Sequence, residues 1–294
     1  MTGKRSTLPM LFSVSRPLSW VNTAYPFGVA YALVTGEVSW TLILGTLFFL
    51  IPYNLAMYGI NDVFDYESDL VNPRKGGVEG AVAPPDNHRA ILIASAVTTI
   101  PFLVYLVAVG NLSANLVLAF SVFAVIAYSA KGLRFKEIPF VDSATSAVHF
   151  VSPMVYALVL ADARADVHWS AQLVAVCAAF FCWSMASQAF GAVQDVVADR
   201  AGGLRSIATQ TSAAFTTRFS VAMYVLSAVL LLLSLPSARI IAILLVPYIA
   251  NIAPYWNVAE RNAESANRAW RRFLWLNYVT GALISMYIIA LQVF

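Results

Sequence analysis

Charge is scarce in this sequence. Asp, Glu, Lys and Arg make up only 11% of its 294 residues, against about 25% in a soluble globular chain. That scarcity argues against a soluble fold, and still more against a disordered chain or a nucleic-acid-binding one. Cysteine is scarcer: Cys177 and Cys182 lie in one apolar run. Five residues apart on a helix, their side chains diverge by about 140°, which argues against a disulfide between them. Lys4 and Arg5 are not followed by a short apolar core with a small-residue cleavage site, so no secretory signal peptide is read. No stretch between the apolar runs is long enough for a separate soluble domain. Residues 1–294 therefore read as a single membrane domain.

What the sequence does have is hydrocarbon. Hydrophobic residues account for 60% of the chain, and the mean hydropathy is +0.73. Apolar segments fall at 18–34, 38–60, 90–109, 112–130, 140–161, 169–192, 215–235, 238–256 and 270–293. Each is long enough to cross about 30 Å of hydrocarbon as a helix. The runs are continuous rather than alternating, which disfavours a β-barrel. The expected fold is all-α and polytopic, with nine transmembrane helices.

Nine spans place alternate loops on opposite faces. The face that carries the N-terminus then holds 16 of the 18 Lys and Arg residues, leaving Arg164 and Arg239 on the other. The positive-inside rule puts the N-terminus in the cytoplasm and the C-terminus outside, in a multi-pass cell-membrane protein. Of the 15 acids, 12 share the cytoplasmic face, the exceptions being Glu37, Asp162 and Asp166.

These acids concentrate in two loops, 61–89 and 193–214. The first begins Asn61-Asp62-Val63-Phe64-Asp65-Tyr66-Glu67-Ser68-Asp69. Asn61, Asp65 and Asp69 are spaced i, i+4, i+8, so a helix puts them on one face. No Gly or Pro interrupts residues 60–69, and the second apolar helix is expected to run on through them. The second loop begins Asp195-Val196-Val197-Ala198-Asp199-Arg200, again with acids at i, i+4. Like charges at this spacing destabilise a helix, and near a bilayer they cost more unless a cation offsets them. Mg²⁺ favours a few carboxylates together with waters and phosphate oxygens. Two such clusters therefore suggest a diphosphate bridged by Mg²⁺. Arg16, Arg74, Lys75, Lys131, Arg134, Lys136, Arg200 and Arg205 share the cytoplasmic face and are candidates for the remaining phosphate oxygens.

These motifs resemble the UbiA family of intramembrane prenyltransferases. The family's NDxxDxxxD signature stands as Asn61-Asp62-x-x-Asp65-x-x-x-Asp69, and its second DxxxD as Asp195-x-x-x-Asp199 followed by Arg200. Tyr128-Ser129 with Arg134 and Lys136 is similar to the family's YS…RxK loop. Within the family, Ser15–Gly28, Asp65–Asp69, Asn72–Ala81 and Phe273–Tyr278 look like actinobacterial lycopene elongases. One departure stands out. Many members carry an Asp or Asn three or four residues before the second DxxxD, where this chain has Gly191 and Ala192. Gln188 and Gln194 are candidate polar substitutes.

The resemblance implies a nine-helix UbiA-type bundle with a cytoplasmic-side active-site cap. It implies that Mg²⁺, held by Asn61, Asp65, Asp195 and Asp199, binds dimethylallyl diphosphate, while Asp62 and Asp69 ligate directly or orient the ligands. Tyr128 joins the candidate diphosphate-binding residues on the same ground. An allyl cation would be attacked by the terminal double bond of lycopene, and the resulting tertiary cation would lose a proton or capture water. Tyr53, Tyr58, Phe64 and Trp183 are candidate cation-stabilising faces. Asn54 and His149, polar groups inside spans, are functional candidates, and His149 is a candidate for removing the proton. Competing readings are a quinone-precursor or tetrapyrrole acceptor, or an ion-coupled carrier, whose site would lie at the bilayer midplane. A further protein partner is left open.

Overall fold

The computed structural model describes residues 7–70 and 82–293. The fold is all-helical, with no strand among the described residues. Contacts divide it into two compact units, Met1–Lys136 with Val148–His168, and Glu137–Ala147 with Trp169–Phe294.

The first unit contains α1 (Thr7–Val14), α2 (Trp20–Thr35), α3 (Trp40–Leu50), α4 (Pro52–Phe64), α5 (Tyr66–Leu70), α6 (Pro85–Val109), α7 (Leu112–Ser129) and most of α8 (Val141–Ala165). The second takes the first turns of α8, then α9 (Ala171–Val193), α10 (Val196–Ala201), α11 (Ile207–Gln210), α12 (Ala213–Leu232), α13 (Leu245–Ile252) and α14 (Asn267–Val293). Among the described residues, eight helical segments are long and apolar enough to cross a membrane. The apolar run 18–34 forms α2, whose 16 residues span about 24 Å at 1.5 Å per residue.

Local chemistry sets the helix ends. Ser39, Asn111, Ser170 and Ser212 cap the N-termini of α3, α7, α9 and α12, each accepting a backbone N–H of the first turn. Gly36 ends α2 at φ 66°, a conformation in which a Cβ is strained.

Two predicted runs fold in pieces. Residues 38–60 form α3 and α4 because Pro52 has no N–H to continue the ladder. Asn54 repairs that break, its Nδ2 donating to the carbonyls of Phe49 and Leu50 and to Thr23 Oγ1 at 2.7–3.1 Å. Asn54 is thus a structural clamp. Residues 238–256 begin as a 3₁₀ helix, Pro236–Leu244, before α13 takes over. Pro247 then falls in the first turn of α13, where its missing N–H has no helical partner to lose.

Each unit has its own core. In the first, Phe27, Phe48, Phe49, Tyr53 and Tyr156 pack in edge-to-face, stacked and tilted pairs, with centroids 4.8–6.1 Å apart. Tyr53 is thereby a core residue. Gly59 lets α6 lie close on α4, since a Cβ there would fall 2.8 Å from Ile91 Cγ2. In the second, α9 and α12 meet through small residues and hydroxyls. Ser227 donates to the Ala179 carbonyl at 2.7 Å, and the Ser187 and Tyr224 hydroxyls share a 3.0 Å bond. Such contacts hold helices together where lipid removes the hydrophobic drive between them. Cys177 and Cys182 are both free thiols, as their spacing requires.

Candidate active site

The first acidic motif sits where α4 stops. The expectation of one uninterrupted helix is corrected here. α4 ends at Phe64, Asp65 takes φ −104°, ψ 2°, and α5 begins at Tyr66. A dense run of carboxylates repels itself along a helix, and Asp side chains draw the backbone out of helical geometry. The i, i+4 links nevertheless survive the kink. Asp65 N–H donates to the Asn61 carbonyl at 2.9 Å and Asp69 N–H to the Asp65 carbonyl at 2.8 Å.

The second motif repeats this construction in the other unit. α9 ends at Val193, Asp195 takes φ −93°, ψ −10°, and the short α10 follows. Asp199 N–H donates to the Asp195 carbonyl at 2.8 Å. Asp65 and Asp195, each the leading Asp of a DxxxD, thus occupy the joint between a longer helix and a short one.

In the first unit, residues far apart in sequence converge on Asp65. Asn61 Nδ2 donates to Asp65 Oδ2 at 2.7 Å and to Ser129 Oγ at 2.9 Å. Lys136 forms an ion pair with Asp65, and Arg134 approaches it at 3.8 Å. The YS…RxK loop thus closes over the acidic motif. Asp65 and Asp69 are buried, and Tyr128, beside Ser129, packs edge-on against His149. Lys131 points outward and is exposed.

Arg16 and Asp62 form a separate pair. Arg16 donates to Asp62 Oδ1 at 2.7 Å and lies over the Tyr58 ring at 4.2 Å. Burial works against the Arg16 charge. The carboxylate of Asp62, the Tyr58 phenol, the hydrogen bond to Asp62 and the field of Asp69 outweigh it, so the guanidinium is held more firmly protonated than usual. Arg16 and Arg134 are two of four non-glycine residues with positive φ among those described, at 51° and 42°. Such backbone strain is sustained where surrounding contacts over-determine it, and here each arginine faces an acid of the motif.

In the second unit Asp195 and Asp199 are partly buried. Arg200 turns away from them, pairing with Glu260 and donating to the Thr209 carbonyl. Gln194 accepts from Asn267 Nδ2 at 2.8 Å, and Gln188 accepts from Ser146 Oγ at 3.0 Å. Gly191 is explained by its neighbour, since a Cβ there would meet the Trp270 ring at 3.2 Å. Trp183 stacks on Phe180 and Phe273 and meets Tyr248 edge-on. Arg74 and Lys75 lie outside the described residues, as does the stretch Asn72–Ala81.

The donor chemistry fits Mg²⁺. The motif acids offer hard oxygen ligands, and no group of three or more His, Cys, Asp or Glu side chains among the described residues forms a metal cage by itself. Mg²⁺ takes one or two carboxylates and fills its shell with water and phosphate oxygens. The pairing of Arg200 with Glu260 and of Arg16 with Tyr58 escaped the sequence reading, because 60 and 42 residues separate the partners and no periodicity links them.

A model of the UbiA prenyltransferase family matches residues 23–277. The chain is 54% identical to a lycopene elongase/hydratase of Corynebacterium glutamicum, over 95% of this chain and 96% of the relative. It is also 54% identical to the C(50) beta-cyclic carotenoids biosynthesis protein LbtBC of Dietzia sp., over 98% of this chain and 66% of that one. The fold is similar to a UbiA homologue from Archaeoglobus fulgidus solved with DMAPP and Mg²⁺, with TM-score 0.65 and 17% identity, covering 93% of this chain and 99% of that one. The helical fold, the placement of both acidic motifs at helix joints and the family match lead to one conclusion: the chain belongs to the UbiA prenyltransferase family.

Proposed function

We propose that this chain transfers the dimethylallyl group of dimethylallyl diphosphate to a terminal double bond of lycopene, in a Mg²⁺-dependent reaction that yields C45 and C50 carotenoids and releases diphosphate. The observation that carries this reading is the convergence of Asn61, Lys136 and Arg134 on Asp65, in a chain 54% identical to a lycopene elongase/hydratase along nearly its whole length.

Bound Mg²⁺ supplies positive charge to the diphosphate as it departs. Asn61, Asp65, Asp195 and Asp199 are the residues proposed to hold it, with Asp69 and Asp62 in support. Lys136 and Arg134, which meet Asp65 in the motif, are proposed to stabilise the negative charge that develops on the leaving oxygen. Arg16, paired with Asp62 and lying over Tyr58, ties the connection between α1 and α2 to α4. Arg16, Arg74, Lys75, Lys131, Tyr128 and Arg200 remain the other proposed contacts to diphosphate. The acceptor is a hydrocarbon dissolved in lipid, so a membrane-embedded enzyme meets it where it resides. The multi-pass chain is proposed to keep its N-terminus and both motifs on the cytoplasmic side of the cell membrane.

The test is product analysis. Membranes containing the chain are given lycopene, dimethylallyl diphosphate and Mg²⁺. New C45 and C50 carotenoids are expected. Unchanged lycopene, with prenylation of an added quinone precursor or tetrapyrrole instead, would overturn the acceptor while leaving the family chemistry in place.

A further inference from the structure

Every polar side chain placed deep in a membrane helix needs an account, and His149 lacks one among the described residues. It lies in α8 and is only 2% exposed. Neither ring nitrogen has a hydrogen-bond partner among the described residues. A buried imidazole offers one donor and one acceptor, and leaving each unmade costs about 1–3 kcal/mol. Asn54, the other amide or imidazole singled out inside a span, is engaged with Thr23, Phe49 and Leu50. The backbone repeats the shortage at this point, because Pro153 has no N–H to give the His149 carbonyl one turn back.

Ring packing ties this imidazole to the loop that carries Tyr128 and Ser129. Its ring meets Tyr128 edge-on, with centroids 5.6 Å apart. The next residue, Ser129, accepts from Asn61, which in turn holds Asp65. Two hydrogen bonds, the Tyr128–Ser129 backbone and one ring contact thus lead, within one unit, from the acidic motif to His149.

We propose that His149 is the proton acceptor that ends the transfer. This rests on the lycopene reading. After the dimethylallyl carbon has bonded to the terminal lycopene alkene, a tertiary cation remains at the attacked end. A C–H bond on the adjacent carbon breaks, its electron pair becomes the new C=C, and the proton goes to the lone pair of an imidazole nitrogen. The imidazolium then passes the proton to the released diphosphate. Without the imidazole, the same cation is left to water, which adds as hydroxyl and loses a proton, giving a tertiary alcohol.

The experiment separates early steps from the last one. Membranes with matched amounts of the wild type, His149→Ala and His149→Gln receive lycopene, dimethylallyl diphosphate and Mg²⁺. Released diphosphate, alkene at the attacked end and tertiary alcohol at that end are measured separately. Both variants are expected to release diphosphate within threefold of wild type, while the alkene-to-alcohol ratio falls at least tenfold. An unchanged ratio in either variant overturns the proposal, as does a wild type that forms only the tertiary alcohol. Loss of diphosphate release in both variants also overturns it, since a terminal proton acceptor acts after the donor bond has broken. A wild type that leaves lycopene unchanged defeats the lycopene reading itself, an outcome distinct from all of these.

Discussion

Asn61 and Asp65 are tied to each other twice, once through the backbone at 2.9 Å and once through the side chains at 2.7 Å. The amide thus presets the direction of a carboxylate that also meets Lys136 and Arg134. Prearranged groups of this kind lose less freedom when charge develops during reaction.

Asp65→Ala and Asp195→Ala are each expected to lower prenyl transfer by at least 100-fold, about 2.7 kcal/mol or more of transition-state stabilisation. Initial rates of C45 formation in membranes check this. Full activity in either variant would sink the metal assignment.

Metal removal is expected to stop turnover without unfolding the protein. The two cores are built from aromatic and aliphatic side chains that pack without a metal. A chelator should abolish diphosphate release, added Mg²⁺ should restore it, and the melting temperature in detergent should move by only a few degrees. Collapse of the melting transition on chelation would mean a structural ion.

Breaking the Arg16–Asp62 pair is expected to cost stability. Asp62 is 1% exposed, and removing one partner of a buried pair costs about 3–5 kcal/mol. Arg16→Met and Asp62→Leu should each lower the melting temperature in detergent. The double variant should recover a good part of the loss, because no lone charge remains buried. Additive losses would refute the pairing as the cause.

Gly191→Asn is expected to destabilise rather than add a ligand. The Trp270 ring stands 3.2 Å from the position of the new Cβ, and overpacking typically costs about 1–3 kcal/mol. Thermal unfolding should show the loss, and combining the change with Trp270→Ala should reduce it. A Gly191→Asn variant as stable as wild type would show that Trp270 gives way.

Much of the site was legible because its chemistry is local. Asp65 with Asp69, and Asp195 with Asp199, lie one helical turn apart, so spacing alone announced them. Arg200 is adjacent to Asp199 in sequence, yet its ion-pair partner, Glu260, lies 60 residues away and was not legible there. The kink at Asp65 was also hidden, since no Gly or Pro marks it and the break comes from charge repulsion and side-chain competition. Asn54 and His149 looked alike as polar residues within apolar runs, and only their neighbours distinguish the clamp from the unpartnered ring.

Composition and periodicity by themselves determined that this is a helical membrane chain with two acidic turns, because burial in lipid and helical spacing act residue by residue along the sequence. Which cation meets which acid, and which polar group stays unsatisfied, only the tertiary structure decided. Those outcomes depend on contacts 46 and 68 residues apart, such as Arg16 with Asp62 and Asn61 with Ser129. No local pattern encodes them, since each is selected by the packing of whole helices.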